Sequence, residues 1–335
     1  MPMTTARRYV ITHPHPWSGI GSNLLSLAGA IWFARQLDRD VIVDWRGLSH
    51  LKDQSLNYFT EFLEARPEIQ GVRIHYAPCV EMPGTAEQFP DSLPEAAALL
   101  KSGDGRPHIL LSAYHGLNRL DPAGDMARQF WILKDFYSYI QPRDFVQREI
   151  DTFAATHFRD SFVVGVNLAQ GNGEFAKGQP YHGRVNTDIF SSEQQFLRRV
   201  RLAYRLAISG LPKYLRKSAK IFFAADSQMM HDLLSQLPNT VTRRKVFPPP
   251  GVGRYFSDYK DPGYTDRDAI VDALCDMFLL ARCQAMIRND TAFNYYARIS
   301  TSQFNGNCRD FETLYAKYWT RAAINRGKRY LGVRP

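Results

Sequence analysis

Several short runs of consecutive apolar residues constrain this chain more than any other feature. Residues 41–45 (VIVDW), 109–112 (ILLS), 162–168 (FVVGVNL) and 220–225 (KIFFAA) do not alternate apolar with polar. That is the pattern of parallel strands covered on both faces by helices. Strand-like segments at 8–12 (RYVIT) and 284–288, a weak one at 72–76 and a short one at 245–247 join them. Helical patterns fall between the strands. Residues 22–37 put Leu24, Leu27, Ala28, Ile31 and Ala34 on one stripe. Residues 192–208 open with Ser192-Glu193-Gln194-Gln195, similar to a capping box. Further helices are expected at 228–236, at 266–282 and from 292, with a helical connection over 140–160, while 67–107 reads as loops and short irregular pieces. The alternation predicts an α/β chain of two Rossmann-like domains facing a cleft. At 335 residues there is room for both. The boundaries fall at 1–155 and 156–310, with a C-terminal helix and basic tail over 311–335.

Composition narrows the class. With 44% apolar and 22% charged residues the chain can bury a core, so global disorder is excluded. A net charge of +9 suits a polyanion: a nucleic acid, an anionic surface or a nucleotide diphosphate. No aromatic-basic motif of a nucleic-acid reader is visible, so no nucleic-acid partner is expected. Cys79, Cys275, Cys283 and Cys308 show no metal spacing and read as reduced thiols. The apolar run at 24–34 is too short to span a bilayer and no leader pattern follows Arg7 and Arg8, so the expectation is a soluble, cytoplasmic protein. His13 and His15, between prolines, lack a third metal ligand, and Trp17, Trp32, Trp45, Tyr295 and Tyr296 read as packing.

In a parallel sheet, ligands bind beyond the carboxyl ends of the strands, where loops converge and helix N-termini expose N–H groups. That rule selects 169–174 (AQGNGE), Asp226-Ser227 and 289–293 (NDTAF) in the second half, and 18–23 (SGIGSN) in the first. Gly171, Asn172 and Gly173 let backbone amides approach a phosphate, Asp226 and Ser227 suit a sugar hydroxyl, and Thr291, Ala292 and Phe293 open a helix. Each motif alone is also an ordinary turn or cap. Glu174 and His182 are the titratable groups nearest the glycine loop, and either can act as a general base.

The blocks 165–174 (GVNLAQGNGE), 18–21 leading to 43–47 (VDWRG), 223–227 (FAADS), 276–283 (DMFLLARC), Ile287-Arg288, Ala292-Phe293 and 296–298 (YAR) together resemble the rhizobial nodulation fucosyltransferases and, more distantly, α-1,6-fucosyltransferases. The resemblance implies a GT-B-like fold and inverting, metal-independent transfer of fucose from GDP-fucose. It also implies that Asp276 binds the nucleobase. The family's His-x-Arg-(Arg/His) motif falls on Asn167, Ala169 and Gln170 here, so the arginine that neutralises the leaving diphosphate is replaced. Arg288 is the first substitute, with Lys177 and Arg184 next. The sugar is then fucose or a related deoxyhexose or heptose on a GDP- or ADP-linked donor, passed to a hydroxyl or amine of a small-molecule or glycan acceptor, with no further cofactor. The competing expectation is a non-catalytic nucleotide or glycan binder.

Overall fold

The computed structural model describes residues 8–13, 19–48, 51–78, 87–88, 108–111, 133–167, 193–225, 228–247, 265–288, 293, 308–310, 317 and 320. Two compact units result. One comprises Met1–Thr152, Tyr255–Cys275 and Tyr295–Ser300, the other Phe153–Arg254, Asp276–Asn294 and Thr301–Pro335.

The first unit is built on a six-stranded sheet with strand order β4-β5-β2-β1-β7-β6. Its strands are β1 (Tyr9–Thr12), β2 (Asp40–Val43), β4 (Glu68–Ile69), β5 (Val72–His75), β6 (Glu87–Gln88) and β7 (His108–Leu111). All pair in parallel except β4, which is antiparallel to β5. Between β1 and β2 runs α1 (Ile20–Gln36). The stripe expected on one side of α1 is buried, but so are Ala30, Trp32 and Phe33, so the helix is covered nearly all round. A short helix, α2 (Tyr58–Phe62), and strand β3 (Leu63–Ala65) form where sequence alone assigns no element, and β3 pairs antiparallel with β8 (Ile140–Pro142), at the start of the segment read as a helical connection. Asn57 caps α2 by accepting from Phe59 N at 3.1 Å, and its amide nitrogen donates to Val43 O at 2.7 Å. The cap thereby ties α2 to the end of β2.

Sequence alone assigns residues 266–275 to the second domain, but they group with the first unit and make polar contacts there. Arg267 Nη1 pairs with Glu61 Oε2 at 2.8 Å, and its guanidinium lies 5.1 Å from the Phe62 ring centre. Lys52 N donates to Asp266 Oδ2 at 2.7 Å.

The second unit is a wholly parallel sheet with order β11-β10-β9-β12-β13. Its strands are β9 (Val163–Asn167), β10 (Lys220–Phe223), β11 (Thr240–Thr242), β12 (Ala285–Arg288) and β13 (Cys308–Asp310). Its helices are α4 (Glu193–Ser209) and α5 (Gln228–Ser235). Two more are divided between the units: α3 (Asp144–His157) and α6 (Asp266–Ala281). Residues 245–247 are not a strand. The β-branched Thr240–Thr242 pairs with β10 instead, while Phe247 reaches the core from irregular chain. Val164, Val166, Ile221, Phe223 and Ile287 form one cluster with Val200 and Ala203 of α4 and Met230 and Leu234 of α5. Alternate residues turn to the other face, where Phe222 meets Phe153 and Phe158 at ring distances of 5.7 and 5.4 Å.

The pleat puts position 165 on that second face, and it is a glycine because a larger residue has no room there. A Cβ there would come within 3.0 Å of both Cys283 Sγ and Leu280 Cδ2. Burial also pushes the Cys283 thiol well above its usual pKa, as expected of a packing residue. Gly165→Ala is expected to destabilise the protein by about 1–3 kcal/mol through overpacking. Urea unfolding measures this, and an unchanged midpoint would show that the neighbours relax freely.

Candidate functional site

Along the chain the parallel strands are ordered third, second, first, fourth, fifth in the second sheet and third, second, first, fifth, fourth in the first, so each has a switch point beside its first strand. In the second unit that point lies between β9 and β12. Asn167 ends β9 and Arg288 ends β12, and the two are direct partners in the parallel register. Since Val166 and Ile287 face the α4 side, the pleat puts Asn167 and Arg288 on the opposite side, with Gly165. Both are about 6% exposed. Asn167 Nδ2 donates to Ala224 O, just past β10, at 3.1 Å. This bond spans the carboxyl ends of neighbouring strands.

Asp276 on α6 is 4% exposed and is held by cations from the chain that leaves β11. Lys245 Nζ donates to its Oδ2 at 2.5 Å, and Arg243 Nη1 stands 3.8 Å from its Oδ1. Oδ1 accepts no hydrogen bond from the described residues. Lys245 also lies 5.2 Å from the Phe247 ring centre. Sequence reasoning picked out Asp276 and missed Arg243 and Lys245. The available signal was the run TRRK at 242–245, which begins where a parallel strand ends. Among the described residues no group of His, Cys, Asp and Glu can hold a metal ion.

Of the residues selected from sequence, the structure therefore describes Asn167, Arg288 and Asp276, along with Phe293, a half-buried helical residue. Gly171, Asn172, Gly173, Glu174, Lys177, His182, Arg184, Asp226, Ser227, Thr291 and Ala292 lie outside the described residues, as do Ala169 and Gln170.

The carboxyl edge of the first unit's sheet is also polar. Asp44, just past β2, is 2% exposed and accepts from Arg46 Nε at 2.6 Å. His13, just past β1, places Nδ1 3.0 Å from Asp44 O, and Trp45 Nε1 donates to Thr12 Oγ1 at 3.4 Å. Gly19 caps α1 without a side-chain bond. In the first turn Asn23 is 1% exposed, and neither of its amide atoms bonds to a described residue.

The model of the family Nodulation protein Z (NodZ) matches residues 6–92 and 130–312. The chain belongs to the NodZ family. It is 26% identical to Nodulation protein Z of Bradyrhizobium diazoefficiens over 87% of this chain and 79% of the relative. It is 25% identical to that of Sinorhizobium fredii over 88% and 91%. Among solved structures it is similar to NodZ α-1,6-fucosyltransferase soaked with GDP-fucose, with a TM-score of 0.61 at 21% identity over 88% of this chain and 92% of that one. A mutant of Arabidopsis thaliana FUT1 in complex with GDP follows at 0.55 and 12%, over 92% and 71%. The α/β, GT-B-like fold class and membership of the NodZ family stand. No helix among the described residues is long and apolar enough to cross a membrane.

Proposed function

We propose that the carboxyl edge of the second sheet binds the nucleoside diphosphate of a GDP-linked sugar, and that the chain transfers that sugar, fucose or a related deoxyhexose or heptose, to a hydroxyl or amine of an acceptor. The observation that carries this reading is Asp276. Its carboxylate is buried, with Oδ2 taken by Lys245 and Oδ1 left to accept. Guanine offers N1–H and N2–H₂ side by side on its pairing edge, the donors such an oxygen needs. Asn167 and Arg288 sit at the switch point, where a diphosphate is expected beside helix N-termini. Crystals of the similar NodZ enzyme were grown with GDP and soaked with GDP-fucose, which agrees with this choice of base.

Arg288 takes the part of the missing family arginine. It stabilises the charge that builds on the departing diphosphate, so no metal is required. The acceptor base is Glu174 or His182, and the phosphates are cradled by Gly171, Asn172 and Gly173, with Asp226, Ser227, Thr291, Ala292 and Phe293 around the donor. The first unit serves the acceptor, where His13, Asp44 and Arg46 offer polar partners to its hydroxyls. The reaction takes place in the cytoplasm.

Two results are expected. GDP at a hundred times its dissociation constant should stabilise the protein by about 2.7 kcal/mol in a thermal-shift assay. ADP and UDP at the same concentration should do less, and a larger shift with either would overturn the choice of base. Transfer should also persist in excess EDTA. Loss restored by magnesium would show that a metal, not Arg288, carries the leaving-group charge. Turnover of GDP-fucose separates an enzyme from a binder.

A further inference from the structure

Residues 194–225 contain no Asp or Glu, yet they carry Arg198, Arg199, Arg201, Arg205, Lys213, Arg216, Lys217 and Lys220. The nucleotide reading uses none of them. The fold sorts them into two groups. Arg199 is buried, Lys220 Nζ donates to His157 O at 2.6 Å, and Arg216 donates to Leu211 O and Ser209 O, both at 2.9 Å. By capping carbonyls at the end of α4, Arg216 fixes the turn that follows.

The other group faces water. Arg198, Arg201 and Arg205 are exposed at i, i+3 and i+7, which aligns them along one side of α4 over roughly 10 Å. Beyond the helix end Lys213 and Lys217 are exposed, and Tyr214 between them is 80% exposed. None of these cations forms an ion pair among the described residues. Opposite the stripe, Val200, Ala203 and Ala207 enter the core, so the helix is fixed in rotation.

Beside Tyr214 is a cavity of about 220 Å³ lined by Phe162, Val164, Leu206, Leu211 and Leu215 among others. It lies on the α4 face of the sheet, away from Asn167 and Arg288.

We infer that the exposed stripe of Arg198, Arg201 and Arg205, with Lys213, Tyr214 and Lys217, docks the protein on an anionic phospholipid bilayer. Lipid phosphates and carboxylates meet the cations, and an aromatic ring flanked by lysines suits the level of the headgroups. The cavity decides against a nucleic acid. Apart from the Tyr214 hydroxyl its lining is apolar and offers a base edge no side-chain partner, but it admits chain methylenes. One exposed ring also falls short of the series of stacking rings that a single strand uses.

The test uses the full chain and flotation with vesicles of phosphatidylcholine containing about one-third phosphatidylserine. The protein is expected to float with these vesicles, less so as salt rises, and not with phosphatidylcholine alone. Replacing Arg198, Arg201 and Arg205 by Gln should weaken binding on the order of a hundredfold, since each cation near such a surface contributes about a factor of five. Tyr214→Ser should weaken it several-fold more. Neutralising exposed Lys52, Arg148 and Arg159 instead removes the same charge from other surfaces and should leave binding within a few-fold. Equal loss in that control would overturn the proposal, because net charge alone would then explain the attraction. Absence of binding to the anionic vesicles overturns it too, and so does binding of a mixed-sequence single-stranded DNA in their place. The stability shift given by GDP should be the same in all these variants.

Discussion

Asp276→Ala is expected to lower the free energy of unfolding by about 3 kcal/mol, because it removes the carboxylate paired with Lys245 in a site almost closed to water. The side chains of Lys245 and Arg243 are only 11% and 9% exposed, so solvent cannot replace the lost carboxylate. Urea denaturation measures the loss, and a wild-type midpoint would contradict the buried triad. The same variant loses nucleotide for two reasons at once, so it cannot by itself assign the base contact. Asp276→Leu combined with Lys245→Met replaces the closer pair by apolar groups and should recover much of the stability. It should not recover GDP binding. If this double variant is stable and binds GDP as the wild type does, Asp276 is structural and the base is read elsewhere.

The second large effect concerns turnover. Arg288→Ala is expected to lower kcat about a hundredfold, or ~3 kcal/mol, while the donor dissociation constant changes only a few-fold. The asymmetry arises because charge on the diphosphate grows as the glycosidic bond breaks, so the guanidinium acts mostly on the transition state. Steady-state kinetics with GDP-fucose and a separate GDP titration give the two quantities. Arg288→Lys should restore part of the rate, since it keeps the charge and loses the planar fork. Full turnover in Arg288→Ala would pass the role to Arg243, whose chain leaves the same sheet edge, or to Lys177 or Arg184.

The central strands were legible from sequence because burial on both faces leaves a continuous apolar run. Residues 162–168 predicted β9, and 220–225 predicted β10, to within a residue or two. The edge strand β11 was misplaced because an edge strand carries a weaker pattern. Lys245-Val246-Phe247 looked more apolar than Thr240-Val241-Thr242, yet the ladder took the β-branched segment and used Phe247 only as a core plug. Apolar content reports burial, not hydrogen bonding. The same limit hid the triad. Arg243, Lys245 and Asp276 are separated by about thirty residues of chain, and no local period links a carboxylate in the middle of a helix to the cations after a strand. Residues 266–275 carry a good helical pattern, but a pattern does not name its partner. They group with the first unit, where Arg267 pairs with Glu61, 206 residues away.

The alternation along β9 bears on which changes of length the family can tolerate. Val164 and Val166 enter one core layer, while Gly165 and Asn167, turned the other way, supply a packing gap and a residue of the proposed site. Deleting or inserting one residue within Val163–Asn167 would exchange these sets: a valine would face Leu280 and Cys283, and the amide would point toward α4. Substitution can therefore alter the site one residue at a time, but indels in this strand are lethal to fold and site together. Length variation among relatives should begin only after Asn167. An alignment of family members with gaps inside this strand would contradict the register described here.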